Sequence, residues 1–393
     1  MYIDPRSLPL LPGDAGLIDL IGSHVGDDAA PSFSDLLVRL HRAMTRREEL
    51  AGVVRIAVAT YEADTDMVKT FASTDAATSL LQRHQCRLAS VPSLQSAADT
   101  RIARNLTDLC AAGPGQTPHM AMLRQAGVRA SLAIPIHWHD DLAGFVFFDS
   151  AVANYFTQGV RDWLWPYAHL IALMLANEQE LVRIIRGAAK TAQELARYRD
   201  PETGAHLQRM ARFARLVAEA MAPRLALSDE FVEYLFWFAP LHDVGKVAIP
   251  DSILLKPGPL DPAEYVEMQR HVQYGIEIVD RMSGNFGLTD RLHVTLMRNV
   301  IGCHHECVDG SGYPAGLKGA AIPIEGRITA VADVFDALTS VRPYKPRWDN
   351  DRALTFLRDN RGTRFDPDCV DALAADMAAV CRIQAQFADA PAA

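Results

Sequence analysis

The pattern of apolar and polar positions divides the chain into two parts with different secondary structure. In the N-terminal part, short apolar runs rich in β-branched and aromatic residues predict strands at residues 53–61, 67–72, 130–137 and 142–148. A helix is predicted at 33–50, and the last two strands form a hairpin. From residue 200 onward, apolar residues recur at helical spacing. The pattern therefore predicts an α/β domain followed by an all-α domain.

In the helical part, five segments carry the apolar spacing of amphipathic or buried helices. They are predicted at residues 204–221, 231–242, 262–282, 290–304 and 328–338. Each of the five ends at, or contains, a histidine or carboxylate that could bind a metal. This association places candidate chemistry on the helices rather than on distant loops.

A helix that begins near Thr157 is predicted to connect the two parts. Along it, apolar residues recur at spacings of three, four and seven: Met174, Leu181, Ile184, Ala188, Leu195 and Tyr198. This spacing is typical of a coiled coil, and we predict a homodimer through this helix and the N-terminal domain. Asn177 and Thr191 occupy seam positions, where polar groups lower stability and fix register. The alternative is one amphipathic helix that packs on its own domain.

Composition limits the class of protein. The 393 residues are enough for two domains, and 49% apolar with 22% charged residues is ordinary for a globular protein. A net charge of −9 argues against a protein that binds nucleic-acid polymers nonspecifically. It leaves nucleotide substrates open, because a few local cations and metals are sufficient to bind phosphates.

The sequence contains no evident targeting or membrane-spanning segment. The first thirteen positions contain Asp4 and three prolines where a signal peptide would need an apolar core. The longest apolar run, 163–176, contains Pro166 and is shorter than the about 20 residues that span a bilayer. We therefore expect a cytoplasmic protein without membrane insertion. The six cysteines form no CxxC pair, so disulfides are not expected. Cys303 and Cys307 flank two histidines, which makes a zinc finger an alternative to consider.

Histidines and carboxylates in the helical part have the spacing of a multi-metal site. In chain order they are Glu202, His206, His242, Asp243, His271, His304, His305 and Asp333. Glu202 and His206 are four residues apart and share one helix face, while an unpaired Asp333 in an apolar helix would be costly. Neutral imidazole and carboxylate bind iron, manganese or zinc, and such centres activate water. The pattern predicts a metal-dependent phosphohydrolase.

The same residues resemble the HD phosphohydrolase superfamily, in which a histidine, a His-Asp pair and an aspartate follow one another. The sequences HDVGK at 242–246 and HHECVDGSGYP at 304–314 are similar to the HD-GYP subfamily, bacterial phosphodiesterases of cyclic di-GMP. Further similarity lies at 249–251, 256–258, 327–340 and 342–345. The resemblance covers residues 200–368. It implies an all-α HD-type domain that hydrolyses cyclic di-GMP to pGpG, to GMP or to both.

The resemblance also implies how the ligands are divided between metals. One ion would be held by His206, His242, Asp243 and Asp333. Asp243 would bridge to a second ion held by His271, His304 and His305. Glu202 matches an acidic ligand that accompanies a third metal in some members, and its alternative role is a helix cap. We thus expect two or three divalent ions, iron or manganese, with zinc left open.

Substrate contacts are implied on both sides of the metal ligands. Lys246, one turn beyond Asp243, is expected to reach a phosphate and to act in catalysis with Asp243. Arg342 and Lys345 match family positions that contact the second phosphate. Their alternative is a solvated surface role. Three further residues, Gly312, Tyr313 and Pro314, are expected to form the substrate mouth together with Gly310, because glycine and proline set the loop's backbone.

The N-terminal part resembles the GAF sensory domain. The resemblance rests on the strand pair, on Asp149-Ser150 after it, and on an aromatic and acidic stretch that leads into the last helix. It implies a pocket for a ligand that the sequence does not identify, or a dimer face. Candidate haem or metal ligands in this part are His84, His119, His137 and His139, with ordinary surface or core roles as the alternative.

Together these features predict a two-domain chain with five segments. They are an N-terminal segment (1–31), a GAF-like α/β domain (32–166), a connecting helix (167–199), an HD-GYP domain (200–380) and a tail (381–393). Regulation of the second domain by the first is the expected arrangement. Two other functions remain open: a receptor that binds a cyclic dinucleotide without turnover, and a phosphodiesterase of mixed cyclic GMP-AMP.

Overall fold

The computed structural model describes residues 31–74, 83–111, 118–197, 204–286, 292–340 and 347–388. The chain divides into two compact units, Met1–Leu181 and Val182–Ala393. The first is α/β and the second is helical, so the predicted order of an α/β part and an all-α part is confirmed. Within the described ranges, no helix combines the length and the apolar character that a membrane span requires.

The first unit contains a six-stranded antiparallel sheet in the order β3-β2-β1-β6-β5-β4. The strands are β1 (Val53–Glu62), β2 (Met67–Ser73), β3 (Gln85–Arg87), β4 (Arg104–Leu106), β5 (Ala130–Trp138) and β6 (Asp141–Ser150). The four predicted strands are present. The sequence pattern missed β3 and β4, because three residues are too few to establish an alternation of apolar and polar positions.

The predicted hairpin joins β5 to β6 through a two-residue turn. Trp138 pairs with Asp141, and the two residues between them, His139 and Asp140, have φ angles of 49° and 71°. Two positive φ angles are the signature of the hairpin turn whose twist matches that of the flanking strands. This turn fixes the register in which β6 presents its side chains to both faces of the sheet.

In the described part of this unit, three helices accompany the sheet: α1 (Phe33–Met44), α2 (Pro92–Thr100) and α3 (Pro118–Gln125). Ser32 caps α1 through a reciprocal box with Asp35, which explains where the helix begins. The predicted helix 33–50 ends earlier than expected, and a short 3₁₀ turn, Glu48–Leu50, follows it. Residues of α2 pack on the sheet face that carries Ala57, Phe145 and Phe147.

A 40-residue helix, α4 (Gln158–Arg197), follows β6 and crosses the boundary between the two units. Its buried positions follow a helical stripe: Leu164, Ala168, Ile171, Leu175, Val182 and Ile185. Of the predicted seam, Leu181 is partly buried and Ile184 is 39% exposed. The helix therefore has one buried apolar stripe and a second set of apolar positions beside it, of which the side chains of Ala188 and Leu195 lie outside the description.

The second unit is built from ten helices in the described residues. They are α5 (Gly204–Leu225), α6 (Asp229–Phe238), α7 (Asp251–Leu254), α8 (Pro262–Gln269), α9 (His271–Phe286), α10 (Leu292–Cys303), α11 (Ile324–Thr339), α12 (Asn350–Asp359), α13 (Pro367–Ala375) and α14 (Met377–Gln386). The predicted helix 262–282 is divided at Arg270 into α8 and α9. The last helix, α14, continues into the segment that was predicted as a tail.

Helix α5 lies at the centre of this unit, because it packs against α6, α11 and α13. Its apolar face is fully buried at Phe213 and Val217, and the ring of Phe213 meets that of Phe335 edge to face at 5.3 Å. The same α5–α11 packing sets the N-terminal turn of α5 beside the middle of α11. Core packing therefore determines where the metal-ligand candidates on these two helices meet.

Candidate metal centre

Two clusters of histidine and carboxylate side chains occur in the helical unit. The first consists of His206, His242 and Asp333, and the second consists of Asp243, His271, His304 and His305. Within each cluster, one ligand atom per residue lies within 4.8 Å of the others. The clusters are neighbours, because His242 and Asp243 are consecutive. Seven of the eight predicted ligands are thus brought together, and Glu202 lies outside the described residues.

The ligands come from helix ends and from the helix at the core. His206 is in the first turn of α5, and Asp333 is in the middle of α11. His242 and Asp243 follow the 3₁₀ turn Ala239–Leu241 that ends the α6 segment. The remaining ligands lie at the start of α9 or directly after α10: His271, His304 and His305.

Gly245 in the HDVGK sequence is required by packing. A Cβ atom at this position would lie 1.8 Å from the carbonyl oxygen of His271 and 2.4 Å from the backbone nitrogen of Gly275. Only a residue without a side chain lets the turn after Asp243 contact the backbone of α9 this closely. The glycine therefore allows His271 to reach Asp243, although it does not touch a ligand atom itself.

Backbone carbonyls orient three of the imidazole rings. The Nδ1 atoms of His242, His271 and His304 lie 3.0, 2.7 and 2.8 Å from the carbonyl oxygens of the residues three positions earlier. Because a carbonyl only accepts, each Nδ1 carries the proton and each Nε2 keeps its lone pair. These Nε2 atoms point into the clusters. Orientation through the second ring nitrogen is the usual arrangement for histidines that bind metals.

In the second cluster, the Nε2 atoms of two histidines face a carboxylate oxygen of Asp243. Its Oδ1 atom lies 3.2 Å from Nε2 of His271 and 3.7 Å from Nε2 of His304. All three atoms are buried and form no hydrogen bond with the part of the chain that the structure describes. Buried acceptors that face one another are costly unless a cation lies between them. The donor set therefore fits a divalent metal ion.

Electrostatics keep the ligands in the forms that bind metals. Burial alone raises the pKa of the Asp243 carboxyl, but the ammonium of Lys246, whose Nζ is 2.7 Å from Oδ2, lowers this pKa well below its usual value. Burial lowers the pKa values of His304 and His305. The carboxylate is therefore ionised and both imidazoles are neutral at neutral pH, as metal binding requires.

Asp336 and Arg209 support His206, and the sequence analysis missed both. Nδ1 of His206 donates to the fully buried Asp336 carboxylate at 2.7 Å, and Nε of Arg209 donates to its other oxygen at 2.7 Å. Burial raises the pKa of Asp336, but these two partners reverse the effect and lower it. The pair directs Nε2 of His206 toward Asp333, at 3.8 Å from Oδ1.

The predicted mouth loop is packed against the second cluster. The ring of Tyr313 stacks on that of His305 at 4.6 Å, and burial raises the pKa of this tyrosine. A Cβ atom on Gly312 would lie 2.3 Å from the backbone nitrogen of Cys307, so a side chain does not fit there. Pro314 follows Tyr313 through a cis peptide bond. The loop holds Tyr313 over a ligand ring.

Glu306 fixes the far side of this loop and was also missed. Its buried carboxylate accepts the backbone N–H groups of Ala315 and Leu317 at 2.7 and 2.9 Å. The sequence shows that Glu306 directly follows the two histidines. Its role as an acceptor could not be predicted, because it depends on the path of the loop. Arg342 and Lys345, the predicted phosphate contacts, lie outside the described residues.

The alternative metal sites find no support in the described residues. Burial raises the pKa of the Cys303 thiol to about 11, which disfavours the thiolate that zinc requires, and neither Cys303 nor Cys307 joins a metal-type cluster there. In the first unit, His137 is buried, His139 is exposed and His84 is partly buried. They form no such cluster among the described side chains, which do not include that of His119.

Comparison with known proteins shows a similarity that falls mainly on the helical unit. The family model described as "HD domain" matches residues 190–369. This part of the chain is therefore similar to HD domains, and the resemblance that its motifs carry is confirmed. The central helix α5 and the two ligand clusters all lie within the matched residues.

Several curated proteins are similar to this chain over part of its length. The chain is 50% identical over 219 residues to the cyclic di-GMP phosphodiesterase response regulator RpfG of Xanthomonas campestris pv. campestris, with 56% of this chain and 55% of that protein covered. It is 41% identical over 216 residues to 3'3'-cGAMP-specific phosphodiesterase 2 of Vibrio cholerae, with 54% and 39% covered. The chain spans about half the length or less of these curated relatives.

Among solved structures, a GAF domain/HD domain protein from Geobacter sulfurreducens covers 39% of this chain and 97% of its own, at 19% identity and a TM-score of 0.31. A cyclic GMP-AMP specific phosphodiesterase of Vibrio cholerae covers 52% and 50%, at 18% identity and a TM-score of 0.36. The GAF assignment of the first unit remains a proposal, and its α/β architecture is established by the sheet itself.

Proposed function

We propose that the chain is a metal-dependent phosphodiesterase of the HD-GYP type that hydrolyses cyclic di-GMP. The observation that carries this proposal is Asp243, a buried carboxylate whose two oxygens face the Nε2 atoms of His242 and His271, one from each cluster. Metal ions bound there would lower the pKa of water and neutralise charge on a phosphate. The names of several relatives, which are cyclic di-GMP phosphodiesterases, support the choice of substrate.

Within this proposal, each group of residues has a defined task. The histidines, Asp243 and Asp333 would hold the cations, and the hydrogen bond from His206 to Asp336 keeps the His206 ring in the tautomer that metal binding requires. Lys246, whose Nζ pairs with Asp243 at 2.7 Å and whose side chain is 22% exposed, is proposed to contact a nonbridging phosphate oxygen. Tyr313 covers His305 and limits access of solvent from that side. Arg342 and Lys345 are proposed to contact the second phosphate.

Product analysis tests this function directly. Protein loaded anaerobically with Fe(II) or with Mn(II) is expected to convert cyclic di-GMP to pGpG, GMP or both, as measured by chromatography. A second incubation with 3'3'-cGAMP measures selectivity, because one group of relatives is named for that substrate. Binding of cyclic di-GMP without any product, with both metals present at full occupancy, would instead assign the chain to the nonhydrolytic receptors.

Glu202 is proposed as the ligand of a third ion. Substitution Glu202→Ala should then lower the metal content by about one ion per chain and leave the other two in place, because the two clusters contain their own ligands. Metal analysis by mass spectrometry checks the number. Substitution of Asp229 in the first turn of α6, which is not a candidate ligand, provides the control. An unchanged metal content in Glu202→Ala returns this residue to a capping role.

The chain is also proposed to be a homodimer through α4 and the GAF-like unit, with the first unit regulating the second. The support is the second apolar face of α4, where Ile184 is exposed beside a buried stripe. Charged residues on that face are costly to bury, so the double variant Leu181→Glu, Ile184→Glu should dissociate the dimer and change the hydrolysis rate. Sedimentation measures the mass. Arg183→Glu, at an exposed position between them, is the control.

A monomeric wild-type protein at micromolar concentration contradicts the dimer. A double variant that stays dimeric moves the interface to another surface. If it dissociates without any change in hydrolysis rate, association and regulation are separate properties and the proposed regulatory route is wrong.

A further inference from the structure

An exposed arginine, Arg364, lies beside the loop that carries Tyr313. The backbone N–H of Val308 donates to the carbonyl oxygen of Arg364 at 3.4 Å, and the N–H of Asp309 donates to that of Thr363 at 2.8 Å. These two hydrogen bonds join residues 363–364 to the residues directly before the loop. Backbone contacts therefore hold Arg364 next to the loop, although Arg364 and Tyr313 are distant in sequence.

The guanidinium of Arg364 keeps its hydrogen-bonding groups unused in the described part of the chain. It forms no ion pair there, whereas the exposed Arg361 in the same segment pairs with Asp371 at 2.6 Å. Its Cζ atom lies 5.2 Å from the ring centre of the buried Phe365, a cation–π distance that favours one position of the guanidinium. Five N–H donors are thus available to a ligand at a defined place.

Arg364 also lies close enough to the metal ligands to act on the Tyr313 phenol. Burial raises the pKa of Tyr313, whereas the guanidinium of Arg364 and the ammonium of Lys246 lower it. Charges at a protein surface are largely screened beyond about 10 Å, so both cations lie near this phenol. The ring of Tyr313 in turn stacks on that of His305 at 4.6 Å. Two cations and an aromatic ring therefore lie at the edge of the second cluster.

The surroundings of Arg364 favour a nucleobase over a phosphate as its ligand. Tyr265 of α8 lies one turn before Met268, whose carbonyl orients His271, and its side chain is 51% exposed. Bases stack on such exposed aromatic rings. In the proposed function both phosphates already have partners: one has the metal ions with Lys246, and the other has the two basic residues assigned to it above.

We propose that Arg364 is a specificity-determining residue that binds the O6 and N7 acceptors of one guanine of the cyclic dinucleotide. Arginine matches this edge with two hydrogen bonds, whereas adenine presents an N6 amino group, which is a donor, beside N7. A donor that faces a guanidinium is repelled, so adenine is disfavoured at this position. A mixed dinucleotide can still present its guanine there. The inference rests on the proposed function, because it concerns the substrate of the same site.

Initial rates with cyclic di-GMP and with cyclic di-AMP measure this selectivity, because the two probes differ only in their bases. The metal-loaded wild type is expected to have a kcat/KM about tenfold or more higher for cyclic di-GMP, a discrimination typical of one bidentate contact to a base edge. If the chain binds without hydrolysis, calorimetry gives the same comparison as a ratio of Kd values. Equal values for the two probes overturn this inference and leave the proposed function intact. Neither hydrolysis nor binding of cyclic di-GMP overturns both.

Substitution Arg364→Gln assigns the selectivity to this residue. It should lower the ratio of kcat/KM for cyclic di-GMP over cyclic di-AMP about tenfold or more, because a glutamine amide matches N6 and N7 of adenine. Arg361→Gln is the matched control and should keep the wild-type ratio, since its partner is the surface carboxylate of Asp371. Thermal unfolding and metal analysis verify that each variant is folded and loaded.

Two results would contradict the role of Arg364. The first is an unchanged ratio in Arg364→Gln, which includes an equal loss with both probes, because a phosphate contact would weaken them alike. The second is an equal change of the ratio in Arg361→Gln, which would show a general effect of surface charge.

Discussion

Substitution Asp243→Ala is expected to remove both metals and nearly all hydrolysis of cyclic di-GMP. The carboxylate is shared by the two clusters, with Oδ2 3.1 Å from Nε2 of His242 and Oδ1 3.2 Å from Nε2 of His271. Metals contribute several kcal/mol to the stabilisation of charge in a phosphate transition state. At about 1.4 kcal/mol per tenfold change in rate, the loss of both ions corresponds to a decrease of about a thousandfold or more.

Metal content and turnover are measured on the same preparation of Asp243→Ala. Asp371→Ala is the control, because Asp371 is an exposed carboxylate of α13 whose partner is Arg361 on the surface. It should keep wild-type metal content and rate. Thermal unfolding separates loss of metal from loss of fold. Two ions per chain and near-normal turnover in Asp243→Ala would show that this carboxylate does not bridge the clusters.

Substitution Asp336→Ala is expected to have the largest effect on stability. The carboxylate is fully buried and accepts two hydrogen bonds from Arg209, at 2.7 and 3.0 Å, in addition to the one from His206. Removal leaves the Arg209 guanidinium buried without its anion, which typically costs about 3–5 kcal/mol in free energy of unfolding. His206 also loses the acceptor that sets its tautomer. Affinity for the metal of the first cluster should therefore fall about 10- to 100-fold.

Denaturant unfolding and metal titration measure the two effects separately. The double variant Asp336→Ala, Arg209→Met removes the buried charge together with its partner. It should recover a large part of the lost stability but not the metal affinity, because His206 still lacks an acceptor. A double variant as unstable as Asp336→Ala, or an Asp336→Ala protein with wild-type metal affinity, would contradict the role assigned to this pair.

The order of secondary structure and the chemical type of the site were predictable from sequence, because both depend on local patterns. Alternating and helical apolar spacing marked the four longer strands and most of the helices. The motif at 242–246 and the paired histidines at 304–305 carry the ligand types of a metal centre within a few residues. These patterns are informative because side-chain direction repeats with a period of about 2 in strands and 3.6 in helices.

Only the tertiary structure decided which residues support the metal ligands and which buried polar side chains lie on the same face of the sheet. His206 and Asp336 are 130 positions apart, and their contact exists because α5 packs on α11. The three-residue strand β4 is defined by its pairing with β5 and not by any sequence pattern. That pairing places Arg104 on the sheet face that contains Asp149. Such contacts depend on how distant elements pack. The pattern of apolar and polar positions along the sequence indicates which residues are buried and at what spacing. It does not indicate which buried groups contact one another.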